Sequence, residues 1–248
     1  MRTPVFIVCS PLERVGKTML ARLTAEFFIS GGHPVECFDL NASGPSLIDF
    51  LPGCTTLSAI DDTRGQMALF DELVRDDAVP KVVDLGHEAF DQFFTVMAQV
   101  GMAEEARWRE VQLVVLFLAS PSPAAAQAYA TLRRWLSGVV LVPVYNEALG
   151  RAQLRKQYPT VGEASLPLRL PALATGLHRI VSHPGFSLSE FRTGVLREIT
   201  EPYREELESW VKRVFFEFRE LELRLLLATL RLSLQPVSSE DNSCGEPP

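Results

Sequence analysis

The chain has 248 residues, of which 47% are hydrophobic, and its formal net charge at pH 7 is −7. This length and composition allow one substantial buried core, so we expect one main domain with appendages. The acidic balance argues against nucleic acid as the main ligand. The four cysteines lack any paired or CxxC spacing, so nothing in their pattern indicates a disulfide framework or a zinc site.

The N-terminus has no signal-peptide pattern, because its apolar run is short and leads directly into a polar loop. No stretch of about 18 uninterrupted apolar residues predicts a membrane span. We therefore expect a protein of the reducing cytoplasm.

Apolar runs alternate with helical patterns along most of the chain, which is typical of an α/β sheet with helices on both faces. The predicted strands cover residues 5–9, 35–40, 82–85, 111–119, 139–145 and 165–170, the last at a sheet edge. The predicted helices between them cover residues 17–30, 62–76, 89–103 and 123–136.

The first strand runs into a loop and a helix through the sequence VFIVCSPLERVGKT, residues 5–18. In loops that close with Gly, Lys and Thr, backbone amides surround phosphates, the lysine reaches the outer phosphates and the threonine hydroxyl ligates Mg²⁺. Gly16, Lys17 and Thr18 therefore predict a site for a Mg²⁺-bound nucleoside triphosphate. An ordinary turn between strand and helix is the competing interpretation.

The loop departs from the common pattern GxxxxGK[ST] at its first position, where Pro11 replaces glycine. Its closing residues are intact and keep the amides and side chains that the chemistry needs. The residues expected to contact the nucleotide here are Glu13, Arg14, Val15, Gly16, Lys17, Thr18 and Met19.

Two carboxylates end neighbouring predicted strands, Asp39 on the second and Asp84 on the third. Ligands of parallel sheets bind in the crevice at these carboxyl ends. We expect Asp84 to hold Mg²⁺, through water, and Asp39 to orient an attacking water. The alternative is that both carboxylates only cap the turns that follow them.

The segment VGKT resembles the loop of the ParA/MinD-type ATPases, whose deviant form reads KGGVGKT. Three further segments agree with that family: FDLNASGPSL with Asp39, VVDLGHEAF with Asp84, and VVLVPVYN, which ends in Asn146. The resemblance implies a three-layer α/β/α P-loop domain with a mostly parallel sheet, and ATP and Mg²⁺ as ligands. It also implies that Lys17 and Asp39 serve catalysis and that Asn146 contacts the adenine base.

The chain departs from that family at positions linked to catalysis. The family's signature lysine, which reaches across a dimer to the partner's phosphates, falls at Leu12, and its second acidic residue falls at Asn41. Neither residue can supply the same chemistry. We therefore expect a nucleotide-dependent switch with slow or lost hydrolysis of the γ-phosphate, at most a weak ATPase.

A long helical pattern covers residues 203–234, with a heptad seam at positions 207, 211, 214, 218, 221, 225, 228 and 232. The seam favours packing on the domain, or a homodimer or another protein partner. A membrane ranks last, because acidic and basic residues are mixed on the outer surface. We expect a nucleotide-binding domain over 1–187, a helical extension over 188–234 and a disordered tail over 235–248.

Two other functions stay open. One is a small-molecule ligase or kinase of the dethiobiotin-synthetase-like type on the same fold. The other is a non-enzymatic adaptor that acts through the C-terminal helix. The chain has no strong guanine-reading NKxD motif, which favours ATP over GTP.

Overall fold

A computed structural model describes residues 2–41, 46–150, 154–160, 162–194 and 199–234. Its strands are β1 Thr3–Cys9, β2 Glu36–Leu40, β3 Thr55–Leu57, β4 Lys81–Leu85, β5 Val111–Leu118, β6 Val140–Asn146 and β7 Leu168–Leu170. Its α-helices are α1 Lys17–Ser30, α2 Leu47–Phe50, α3 Thr63–Leu73, α4 Phe90–Gln99, α5 Met102–Trp108, α6 Pro123–Trp135, α7 Thr175–Val181, α8 Leu188–Arg192 and α9 Glu201–Leu234.

The seven strands form one sheet in the order β3-β2-β4-β1-β5-β6-β7, and every pairing is parallel. The order reverses around β1, which lies between β4 and β5. The carboxyl ends of all strands therefore meet at one edge, where ligands of open α/β sheets bind. The predicted α/β fold class is confirmed, and so is the long C-terminal helix.

Helices cover both faces of the sheet, which makes three layers. Alternate residues of β1 point to opposite faces: Phe6 and Val8 join the core with α1, α7, α8 and α9. Val5 and Ile7 join the core with α3, α4, α5 and α6. Because both faces are buried, the central strands are apolar throughout, as the run in β5 indicated.

Several elements differ from the prediction. The single helix expected over 89–103 is two helices, α4 and α5, because Gly101 between them takes a left-handed conformation with φ 64°. The helix expected over 62–76 begins one residue later, with Asp62 as its N-cap. The short elements α2, β3, α7 and α8 were not predicted.

The heptad seam of α9 packs inside the chain over residues 207–225. Its buried side chains include Leu207, Val214 and Phe218, and the Phe218 ring lies 5.6 Å from the ring of Phe27 on α1. The indole of Trp210 donates a hydrogen bond of 2.8 Å to the carbonyl of residue 171. The boundary between residues 187 and 188 remains a prediction, and the predicted tail over 235–248 lies outside the described residues.

No helix in the described part of the chain has both the length and the apolar character that crossing a bilayer requires.

A buried lysine at the start of β4 depends on one carboxylate. The Lys81 ammonium is fully buried and donates to Asp77 Oδ1 at 2.7 Å and to the Arg75 carbonyl at 3.0 Å. Burial by itself raises the pKa of Asp77, but hydrogen bonds from Lys81, Arg75 and the Val79 amide outweigh it and lower the pKa to about 2. The charged form of Asp77 is therefore favoured in the folded state.

We expect Asp77→Ala to lower the free energy of unfolding at pH 7 by about 2 kcal/mol, because it leaves the buried Lys81 ammonium without its counter-charge. Since the pKa of Asp77 is depressed on folding, its contribution is present above about pH 4 and is lost as the pH falls towards 2. Urea unfolding at pH 7 and pH 3 measures both effects. The control Asp71→Ala, at an exposed carboxylate, should change neither value. Equal losses at both pH values would contradict the assignment.

Candidate functional site

The loop between β1 and α1 offers an unusual number of free amides. Gly16 is the N-cap of α1 and takes a left-handed conformation with φ 99°. No side chain caps the first turn of α1 among the described residues. The backbone amides of residues 13–19 also donate to no acceptor among the residues that the structure describes. Free amides at a helix N-terminus, together with the helix dipole, favour an anion.

Lys17 closes over this loop. Its side chain is buried, and Nζ donates to the carbonyl of Leu12 at 2.5 Å. Burial lowers the pKa of Lys17, and the charges of Asp84, Cys9 and Glu13 oppose that shift. The ammonium is thus held at the loop with a neutral carbonyl as its hydrogen-bond acceptor, which an anionic oxygen would replace favourably.

Thr18 joins the loop to the end of β4. Its hydroxyl donates to Asp84 Oδ2 at 2.7 Å and accepts from the Asn41 side-chain amide at 3.3 Å. Asp84 is fully buried, and its other oxygen, Oδ1, has no hydrogen-bond partner among the described residues. Burial, together with the charge of Asp39, raises the pKa of Asp84 to about 7, against the opposing effects of Thr18 and Lys17.

The unpartnered Asp84 oxygen is the test of whether Mg²⁺ fits here. A buried carboxylate oxygen without a donor is costly unless it is protonated or meets a cation or its water shell. A hydroxyl and a carboxylate are oxygen ligands of the kind that Mg²⁺ takes alongside water and phosphate. Thr18 and Asp84 together therefore fit a hydrated Mg²⁺.

Asp39 lies beside Asp84 in the sheet, as predicted, since the two residues are register partners on β2 and β4. Its two oxygens accept from the amides of Asn41 and Ile48, each at 3.0 Å. The carboxylate therefore anchors the chain after β2 and the first turn of α2. This is the turn-capping role, and the orientation of an attacking water by Asp39 stays a prediction.

Asn146, at the end of β6, holds the loop between β1 and α1 from the other side. Its side-chain Nδ2 donates to the carbonyl of Val15 at 3.0 Å, and its Oδ1 accepts from the amide of Ala148 at 3.0 Å. Sequence reasoning placed Asn146 at the site but not in this role. Its contact with an adenine base stays a prediction.

A cavity of about 320 Å³ adjoins the site. Asp39 and Asn41 form one wall, and polar side chains such as His87 and Gln92 form another. At Gly86 the chain passes so close to β2 that a Cβ would lie 2.8 Å from the carbonyl of Leu40. The cavity thus lies among the segments that follow β2, β3 and β4, and Asn41 in its lining donates a hydrogen bond to Thr18.

Gly16 gives a prediction about the loop itself. A Cβ at Gly16 would lie 2.8 Å from Nδ2 of Asn146, and the backbone there has φ 99°. We expect Gly16→Ala to lower the free energy of unfolding by about 2 kcal/mol, because strain and collision add. Gly32→Ala is the matched control, since Gly32 also has a positive φ of 78° but no atom within 4 Å of the new Cβ. Urea unfolding that gives equal losses for both variants would contradict the contact.

No protein-family model matches the chain, and no curated protein sequence matches it. Among solved structures, one of pNOB8 ParA bound to nonspecific DNA is similar, with 12% sequence identity and a TM-score of 0.41. The similarity covers 92% of this chain and all of that chain. A similarity this weak supports no conclusion about family or function, and the fold class rests on the order and direction of the strands.

The prediction that nucleic acid is an unlikely main ligand is corrected here. The acidic net charge argued against nucleic acid as the main ligand, whereas the similar protein was solved bound to nonspecific DNA. Net charge is an average over the whole chain, and contact with a nucleic acid depends on the charge of one surface. The exclusion of nucleic acid is therefore withdrawn.

Proposed function

We propose that this chain is a ParA/MinD-like switch that binds Mg²⁺-ATP at the loop of residues 11–18, with slow or lost hydrolysis. One observation carries the proposal. Seven amides with no protein acceptor among the described residues, the Lys17 ammonium and the Thr18–Asp84 pair lie on one loop and the adjoining strand end. An ordinary turn has no need for a buried ammonium or for a carboxylate oxygen without a donor.

Each group of residues would have its own role in holding the nucleotide. The amides of residues 13–19 would donate to phosphate oxygens, and Lys17 would exchange the Leu12 carbonyl for a phosphate oxygen. Thr18 and Asp84 would hold Mg²⁺, and Asn146 keeps the loop in place through the Val15 carbonyl. When bound, Mg²⁺ supplies positive charge that neutralises phosphate oxygens.

Slow turnover follows from three side chains. Leu12 stands where the family that the loop resembles carries its activating lysine, and it is partly buried between the two cores. Asn41 is an amide and cannot act as a base. Asp39 already accepts two backbone hydrogen bonds. The site therefore supports binding and positioning of phosphates better than activation of water.

A second candidate is a small-molecule ligase or kinase on the same fold. The cavity beside Asp39 and Asn41 favours it, because an acceptor substrate must reach the terminal phosphate from a pocket next to the metal site. Polar side chains in its lining, such as His87 and Gln92, could orient a small-molecule substrate there.

One experiment separates these functions. The full chain is tested with Mg²⁺-ATP, Mg²⁺-GTP and Mg²⁺-ADP for thermal stabilisation and for phosphate release. The switch predicts stabilisation by ATP in excess of GTP, with turnover far below the 1–100 per second that is typical of kinases. Phosphate release that rises on addition of a metabolite pool would favour the second candidate. Absence of stabilisation by any nucleotide at millimolar concentration would contradict nucleotide binding.

A further inference from the structure

Two free cysteines lie side by side where β2 meets the turn before β3. The amide of Cys37 on β2 donates to the carbonyl of Cys54 at 2.8 Å. Adjacent strands lie about 4.8 Å apart and rise about 3.3 Å per residue, which places the two Cα atoms about 6 Å apart. Disulfides span Cα separations of about 4.4–6.8 Å, so the backbone needs no large movement to join these two residues.

Both thiols lie on the same side of the sheet. Cys37 belongs to the core with α1, and Cys54 packs against that core. In a regular strand, the residue before Thr55 would face the opposite side from Cys37, because Thr55 is the register partner of Cys37. Cys54 escapes this alternation because it precedes β3 and lies in the turn between α2 and β3. The two side chains therefore approach each other.

The two thiols differ in exposure and in acidity. Cys37 is 1% exposed, whereas Cys54 is partly buried and follows the exposed residues Pro52 and Gly53. Hydrogen bonding with the Cys37 thiol lowers the pKa of Cys54, against the opposing effect of burial. The buried hydroxyl of Thr55 has no hydrogen-bond partner among the described residues, so it is available to donate to a thiolate or to a bound oxygen. Cys54 is therefore the more reactive sulfur of the pair.

We propose that Cys54 and Cys37 form a reversible disulfide when the chain meets a hydroperoxide. The Cys54 sulfur attacks one peroxide oxygen and becomes a sulfenic acid, and the other oxygen leaves with the thiol proton as an alcohol or as water. The Cys37 sulfur then attacks the Cys54 sulfur, and the hydroxyl group leaves with the Cys37 proton as water. In total, two thiols are oxidised to one disulfide and one hydroperoxide is reduced.

This disulfide would change the part of the chain that borders the candidate site. It would enclose residues 38–53, which include Asp39 and Asn41. Oxidation would therefore tie the segment that follows β2 to the edge strand β3. Thiol pairs that form transient disulfides of this kind serve in catalysis or in redox sensing. The proposal does not depend on nucleotide binding and stands or falls separately from the proposed function.

The first test uses the full chain with Cys244→Ser, so that every remaining cysteine lies in the described part of the structure. After brief treatment of the folded chain with a small excess of hydrogen peroxide, we expect one free thiol instead of three. Chymotrypsin cleaves after Phe38 and Phe50 and so separates the two cysteines. Mass spectrometry should then find their two peptides joined and lighter by two hydrogen atoms, and dithiothreitol should restore all three thiols.

Single variants in the same background assign a role to each sulfur. Cys37→Ala should stop at the sulfenic acid of Cys54, which dimedone traps, and Cys54→Ala should leave the buried Cys37 unmodified. Cys9→Ala is the control and should form the same disulfide, because burial raises the pKa of Cys9 and keeps it an unreactive thiol. Circular dichroism before treatment checks that each variant is folded.

The peptide map of the chain that retains both cysteines decides the proposal even where a variant fails to fold. A folded chain that keeps three thiols, and loses them only in urea, would overturn it. A disulfide that includes Cys9, or one that joins two chains, would do the same. So would a Cys54→Ala variant in which peroxide modifies Cys37 as fast as it modifies Cys54 in the Cys37→Ala variant.

Discussion

Lys17→Ala is expected to lower the affinity for Mg²⁺-ATP by at least about a hundredfold. The lysine is the one side-chain ammonium that the described structure places at the phosphate loop, and its Nζ is held at the carbonyl of Leu12 by a single hydrogen bond. Charge-assisted hydrogen bonds to phosphate are stronger than this neutral one, so the loss falls on binding more than on folding. Isothermal calorimetry of wild type and variant measures the change.

Lys212→Ala serves as the control for that loss. Lys212 is exposed on α9 and pairs only loosely with Glu208, at 3.8 Å, so its removal should leave ATP affinity unchanged. The thermal midpoint of Lys17→Ala without nucleotide should stay within a few degrees of wild type. An affinity that is unchanged in Lys17→Ala would show that the loop does not hold the phosphates.

The second large effect concerns α1, the helix that begins at this loop. Arg22 on α1 is almost fully buried, and its guanidinium donates to the carbonyls of Val181 at 2.7 Å and Phe186 at 2.6 Å. Its Nε lies 3.5 Å from Glu26 Oε1, and its other side stacks on the ring of Phe50 at 4.7 Å. Burial lowers the pKa of Arg22 and raises the pKa of Glu26, and each charge opposes the shift of the other.

Arg22→Ala is expected to lower the free energy of unfolding by about 4 kcal/mol, because it leaves the buried Glu26 without its counter-charge and two buried carbonyls without their donor. Urea unfolding at pH 7 measures the loss. The control Arg109→Ala removes another arginine that pairs with a glutamate four residues away, but on the surface, and should cost less than about 1 kcal/mol.

A double variant separates charge from packing. Arg22→Met with Glu26→Leu removes both buried charges and should be more stable than Arg22→Ala. If the double variant were no better than the single one, the cost would lie in the lost contacts to residues 181–186 and not in the stranded carboxylate.

Much of the sheet could be predicted because its strands are buried on both faces. A run such as β5 is apolar at nearly every position, which is typical of a strand buried on both faces of a sheet. The edge strand β3 escaped prediction because it has three residues and two of them are exposed, so burial leaves no pattern. The break between α4 and α5 escaped because one glycine, Gly101, interrupts an otherwise continuous apolar period.

The candidate site likewise contains residues that the sequence could predict and contacts that it could not. Gly16, Lys17 and Thr18 could be predicted because their chemistry is local in the sequence, and Asp84 because strand ends meet in a parallel sheet. The hydrogen bond from Asn146 to the Val15 carbonyl joins residues 131 positions apart. The hydrogen bond that Asp39 accepts from the Ile48 amide depends on the short helix α2, which no sequence pattern predicted. Such contacts follow from tertiary packing and not from any local pattern.

The most direct measurement is a crystal structure of the full chain grown with Mg²⁺ and a saturating non-hydrolysable ATP analogue. The account predicts phosphate oxygens within hydrogen-bond distance of the amides of residues 13–19, Lys17 Nζ moved from the Leu12 carbonyl to phosphate, and Mg²⁺ beside Thr18 and Asp84. Nucleotide bound elsewhere, or a loop that stays closed on Lys17 with no phosphate in it, would contradict the central claim.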